Sequence, residues 1–140
     1  HEGQLTYEAA GLHLVEDLGR WWSRETGLPM PLGGNAIRRD LDDLHGPGTL
    51  GEVTALLRAS LDHALAERET SIEYAMRFGR GIDADVADEF VRMYVNAWTL
   101  DFGDRGREAV RAFLRAAHDA GIVPDPGEVD FVAPLADSTA

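Results

Sequence analysis

Apolar residues recur at helical spacing through the second half of the chain. Leu50, Val53, Leu57, Leu61 and Leu65 form one stripe, and Thr49 with Glu52 has the spacing of a capping box at its start. Thr70 with Glu73 repeats that box, and Ile72, Tyr74, Ala75, Met76 and Phe78 follow before Gly79. Asp83 is placed to cap a third helix carrying Val86, Phe90, Met93 and Tyr94. A fourth helix begins after Asp101-Phe102-Gly103, carries Val110, Phe113, Leu114 and Ala117, and stops at Gly121. Pro124 and Pro126 end the helical pattern, residues 129–132 read as a short final strand, and Asp137 to Ala140 read as a frayed tail.

The first half is patterned differently. His1-Glu2-Gly3-Gln4-Leu5-Thr6-Tyr7 reads as the end of a strand running into a loop, and residues 13–15 as another short strand. Asp17 suits an N-cap for a helix bearing Trp21 and Trp22, and Gly27 suits its stop before Pro29. Residues 28–37 hold two prolines and two glycines, which favours an extended crossing segment over a helix. Gly46-Pro47-Gly48 marks a turn, and Trp21, Trp22 and Trp98 are expected in the core. Four helices and about three short strands make too small a sheet for a self-contained α/β domain. The missing partner strands are expected upstream of His1. The chain alone is then expected to melt with poor cooperativity and to bind a dye that reports exposed apolar surface.

Composition narrows the chemistry. The 140 residues suit one domain, with 44% hydrophobic and 27% charged residues. A net charge of −12 disfavours nucleic acid and anionic membrane as partners, and Asp40, Asp42 and Asp43 offset the one basic pair, Arg38-Arg39. The absence of cysteine removes disulfides and thiolate chemistry. All 13 basic side chains are arginine, so neither a Schiff-base lysine nor a Walker-type loop exists within the chain. No apolar run approaches the roughly 18 residues of a membrane span, so a cytoplasmic location is the expectation.

Several short strings fail as motifs. His1-Glu2 opens like a zinc-protease pattern, but Leu5 stands where the second histidine is required. Asp101-Phe102-Gly103 lacks every other kinase element and reads as a turn. Gly33-Gly34 and Gly79-Arg80-Gly81 lack the spacing of a phosphate cradle and read as turns or hinges. His13, His45, His63 and His118 have no ligand partner at a diagnostic spacing, so no metal site is expected.

Three blocks carry a resemblance. His1-Glu2-Gly3-Gln4-Leu5-Thr6-Tyr7 resembles the central motif of the 1,4-dihydroxy-6-naphthoate synthase family, which serves the futalosine route to menaquinone. Asp17 to Trp22 and Thr26 to Ile37 are similar to the stretch that follows that motif. Met93 to Asp101 resembles a block near the family's C-terminus. The blocks run in the family's order, from residue 1 to about residue 132, and correspond to its C-terminal half.

The resemblance implies an α/β, two-lobed, periplasmic-binding-protein-like (type II) fold, of which this would be a helix-rich part with few strands. Residues 1–30 would end the second lobe, 31–37 would be the return crossing, and 38–140 would complete the first lobe. The implied reaction is a lyase step converting cyclic dehypoxanthinylfutalosine to 1,4-dihydroxy-6-naphthoate, with no cofactor. His1 falls on the proposed general base, Gln4 is a candidate for binding either substrate or its own loop, and Asn35 is a candidate for binding substrate in the cleft or for stabilising its turn. The implied partners are a small-molecule substrate and the N-terminal half of the same protein, with a homodimer as a further option. Two other readings share the fold: a binding protein for small carboxylates without chemistry, and a relative of chorismate dehydratase.

Overall fold

The computed structural model describes residues 3–78 and 84–135, with the backbone alone given for 84–87 and 90. His1, the Asp83 cap, the Gly79-Arg80-Gly81 string and the Asp137 to Ala140 tail lie outside the described residues, as do the side chains of Val86 and Phe90. Eight helices occur in the described part: α1 (Gly3–Thr6), α2 (Leu18–Thr26), α3 (Leu41–His45), α4 (Thr49–Ala66), α5 (Arg68–Met76), α6 (Ala84–Tyr94), α7 (Ala97–Leu100) and α8 (Gly103–Asp119).

The most local expectations are met. Asp17 has extended backbone, and its carboxylate accepts the Arg20 N–H at 2.9 Å to start α2. Gly27 ends that helix at φ 70, a conformation that is cheap only without a Cβ. α8 closes in the same way, with Gly121 at φ 72. Residues 29–38 carry no turn or helix, as the proline and glycine content requires.

Two helix starts differ from expectation. α4 is capped from outside its own sequence: the Asp42 carboxylate accepts the Leu50 N–H at 2.8 Å and the Gly48 N–H at 3.3 Å. The Thr49 hydroxyl instead donates to the Gly46 carbonyl at 2.8 Å. A capping box relies on a threonine that is still outside the helix, whereas Thr49 is its first residue. α5 likewise begins at Arg68, which leaves Thr70 inside it and its box unformed.

No strand forms among the described residues. The expected strand end at the N-terminus is the helix α1 in its described part, continued by a Tyr7 N–H to Gly3 carbonyl bond of 3.0 Å. Residues 13–15 and 129–132 have no regular structure. A strand has no hydrogen bonds of its own and exists only when paired, so an apolar strand-like sequence without a neighbour stays irregular. The helix-rich part of the α/β expectation therefore holds, while its strands do not appear here.

Packing is open. Trp22 and Ala109 are the buried apolar side chains of the described residues. Trp21 and Trp98 are 42% and 44% exposed, against the expectation of core positions. The surface totals 10848 Å², whereas a compact monomer of 15.3 kDa would show about 7,100 Å². The Trp22 ring meets Phe113 of α8 edge-on at 5.4 Å, and this contact is the nearest thing to a core. α4 is tied to the end of α7 by the Arg58 guanidinium, which donates to the Leu100 carbonyl at 2.9 Å.

Candidate functional site

The proline- and glycine-rich segment is held against α8 by its flanks. Trp22 Nε1 donates to the Pro29 carbonyl at 3.2 Å, and Arg105 donates to the Gly27 carbonyl at 2.5 Å. The Thr26 hydroxyl bridges the Trp22 carbonyl at 2.7 Å and the Leu28 N–H at 3.1 Å, which fixes the exit from α2. Farther along, a Cβ on Gly34 would stand 3.9 Å from the Phe102 ring. Gly33-Gly34-Asn35 thus passes beside the turn that joins α7 to α8.

That turn is built locally. The Asn96 side chain accepts the Trp98 N–H at 3.0 Å, and the Thr99 hydroxyl accepts the Asn96 N–H at 3.2 Å, a reciprocal cap on α7. The Asp101 carboxylate accepts the Gly103 N–H at 2.9 Å, and Gly103 takes φ 54. Asp101-Phe102-Gly103 is therefore a turn, as its sequence context suggests. Gly106 lets Trp98 and Phe102 sit close, since a Cβ there would meet them at 3.3 and 2.9 Å.

A strap formed by residues 123–135 closes over this turn. Phe131 lies edge-on to Phe102 at 6.0 Å, under the guanidinium groups of Arg107 at 5.9 Å and Arg111 at 5.0 Å. Arg39 pairs with Asp130 and donates to the Glu128 carbonyl at 2.8 Å, and Arg111 donates to the Val129 carbonyl at 3.3 Å. Only Arg38 of the basic pair is answered by its neighbour Asp40, at 2.6 Å. The partner of Arg39 lies 91 residues away, beyond any signal in local sequence.

Neither Gln4 nor Asn35 lines either of the two clefts described below. His1 lies outside the described residues. Gln4 is exposed on α1 and Asn35 is exposed in the proline- and glycine-rich segment, and neither side chain hydrogen-bonds another described residue. Two clefts are formed elsewhere. One, of about 350 Å³, lies between Arg111, Arg115 and His118 of α8 and the start of the strap. The other, of about 660 Å³, lies between α5 and α6 around Arg68, Ile72, Met76, Asp88 and Arg92.

Asp88 in the second cleft is a charge centre that sequence reading missed. It accepts from Arg68 at 2.8 Å and from Arg92 at 2.7 Å. Desolvation pushes its carboxyl up, but the two guanidinium groups outweigh that and hold it below the ordinary 3.8. The Asp88–Arg92 spacing of four residues was visible in sequence, whereas the tie to Arg68 across two helices was not. The described histidines, 13, 45, 63 and 118, are all exposed, and no cluster of metal-binding side chains occurs among the described residues. Among those residues no helix is long and apolar enough to cross a membrane.

Residues 1–119 match the family model for menaquinone biosynthesis. A 1,4-dihydroxy-6-naphtoate synthase from Streptomyces coelicolor is 39% identical over 127 residues, covering 91% of this chain and 44% of that protein. One from Thermus thermophilus is 38% identical over 127 residues, covering 90% of this chain and 45% of the relative. The crystal structure of an Archaeoglobus fulgidus protein superposes with a TM-score of 0.75 at 39% identity, covering 88% of this chain and 45% of that one. The chain thus spans less than half the length of each relative.

Proposed function

The chain belongs to the menaquinone-biosynthesis family, and from that premise we propose that it supplies part of a lyase that forms 1,4-dihydroxy-6-naphthoate from cyclic dehypoxanthinylfutalosine. The observation that carries the reading is identity of 38–39% to two synthases of that name across some nine-tenths of the chain. Both relatives bear the naphthoate synthase name, which favours this reading over chorismate dehydration or capture of a carboxylate without chemistry.

In this reading the whole fold has two lobes with a ligand cleft between them, and residues 31–37 are a crossing between the lobes. Residues 1–30 finish one lobe and 38–140 complete the other. His1 is the general base. An ordinary imidazole titrates near about 6.5 and can take a proton at neutral pH. Aromatisation of the product supplies driving force, so the protein provides a base, a shaped pocket and charge stabilisation. Gln4 and Asn35 hydrogen-bond the substrate; their side chains are exposed and uncommitted to any described residue, which suits that role.

Replacing His1 with Ala in the protein assembled to the family's full length tests the assignment. Loss of kcat by about 10²–10⁴-fold with unchanged far-UV circular dichroism is the expected result. Retention of most activity would remove His1 from the mechanism.

A further inference from the structure

Residues 30–37 make no hydrogen bond to any other described residue, so the hydrogen bonds that place this stretch act at its two ends. Upstream, Trp22 Nε1 holds the Pro29 carbonyl and Arg105 holds the Gly27 carbonyl, which ties the entry to α2 and α8. Downstream, Arg39 grips the strap of residues 123–135: Nη1 pairs with the Asp130 carboxylate, and Nη2 donates to the Glu128 carbonyl at 2.8 Å. Two donations from one planar guanidinium fix a direction as well as a distance. The strap is seated by Phe131, edge-on to Phe102 at 6.0 Å, and Phe102 is the ring that stands beside Gly34. The strap therefore meets the segment twice, through Arg39 and through the Phe131–Phe102–Gly34 column, and Asn35 lies between those points. With side chains 72% and 53% exposed, the Arg39–Asp130 pair contributes little to stability. What it supplies is position.

We propose that Arg39, Asp130 and Phe131 are positioning residues: through them the strap sets where Gly33-Gly34-Asn35 stands, and so how tightly the protein holds its substrate. This deepens the proposed function and rests on its reading that Asn35 hydrogen-bonds the substrate. A side-chain amide reaches a given substrate atom only while its own backbone is held in place. A segment free to shift must also lose that freedom on binding, and anchors set beforehand lower the cost. Arg38, next in sequence, has no such part, because its guanidinium is answered by Asp40 two residues away. Arg107 and Arg111, 5.9 and 5.0 Å from the Phe131 ring, keep that ring seated while Arg39 holds the adjoining Asp130.

The chain contains no cysteine, so Ala36→Cys takes a single spin label in the protein assembled to the family's full length, with any cysteine of the added part replaced by serine. Arg39→Ala should mobilise the label and raise KM for cyclic dehypoxanthinylfutalosine about tenfold, with kcat changed less than about threefold. Asp130→Ala should do the same, and the double variant should lose no more than Arg39→Ala, because both act through one contact. Phe131→Ala should give the same two changes, and Arg39→Lys should recover part of the loss. Arg38→Ala should leave label and KM as in the parent. A label unmoved by Arg39→Ala and Phe131→Ala would overturn the proposal, as would a mobile label with unchanged KM or an equal loss in Arg38→Ala. A parent that forms no product would count against the lyase reading alone, and the label would still decide whether the strap holds the segment.

Discussion

The Asp42 carboxylate reaches across the Gly46-Pro47-Gly48 turn and accepts the Leu50 N–H at 2.8 Å, so a residue of α3 caps α4. The first N–H groups of a helix have no partner within it, and one carboxylate here satisfies two of them, counting Gly48. Asp42→Ala should cost about 1 kcal/mol and lower the urea midpoint read by far-UV circular dichroism. Asp42→Asn keeps one acceptor oxygen and should lose less. Equal midpoints for wild type and Asp42→Ala would show that the cap contributes nothing.

Gly106 sets two effects against each other. Alanine in a helix is favoured over glycine by about 0.8–1.0 kcal/mol. A methyl at Gly106 would meet Phe102 Cβ at 2.9 Å and the Trp98 ring at 3.3 Å, inside the turn between α7 and α8. Such overpacking costs about 1–3 kcal/mol, so Gly106→Ala should destabilise on balance and change the Trp98 fluorescence. A stabilised Gly106→Ala variant with unaltered emission would show that the contact yields freely.

The Asp88 bridge between α5 and α6 gives a pH dependence of known sign. Its carboxyl lies below 3.8 in the fold, because Arg68 and Arg92 outweigh desolvation. Its contribution is therefore complete above 3.8 and is lost as pH falls through the lower folded value. Acid titration of helicity should show a loss in that window for the wild type. Asp88→Asn should be less stable at neutral pH and should lack that component of the acid loss. Identical acid profiles would contradict it.

The sequence announces those features whose causes lie within a few residues. Asp17 and Gly27 bound α2 because cap and stop depend only on neighbouring backbone. The Asp42 cap, the Arg39–Asp130 pair and the Arg68–Asp88 bridge depend on separate elements meeting, and no local pattern encodes that. The strand-like sequence at 13–15 was legible, but strand formation needs a neighbour that none of the described residues provides. Trp21 and Trp98 show the same limit, since an apolar side chain is buried only if something covers it. Of the site, the resemblance supplied the proposed roles of His1, Gln4 and Asn35. Gln4 lies on α1 and Asn35 in the proline- and glycine-rich segment, and no described contact links them.

The most direct test of the central claim is product analysis. The chain, assembled with the complementary part of a relative, is incubated with cyclic dehypoxanthinylfutalosine and the mixture is resolved by mass spectrometry. The account predicts 1,4-dihydroxy-6-naphthoate accumulating with time, and its disappearance with His1→Ala. Substrate recovered unchanged from a folded, ligand-bound assembly would contradict it.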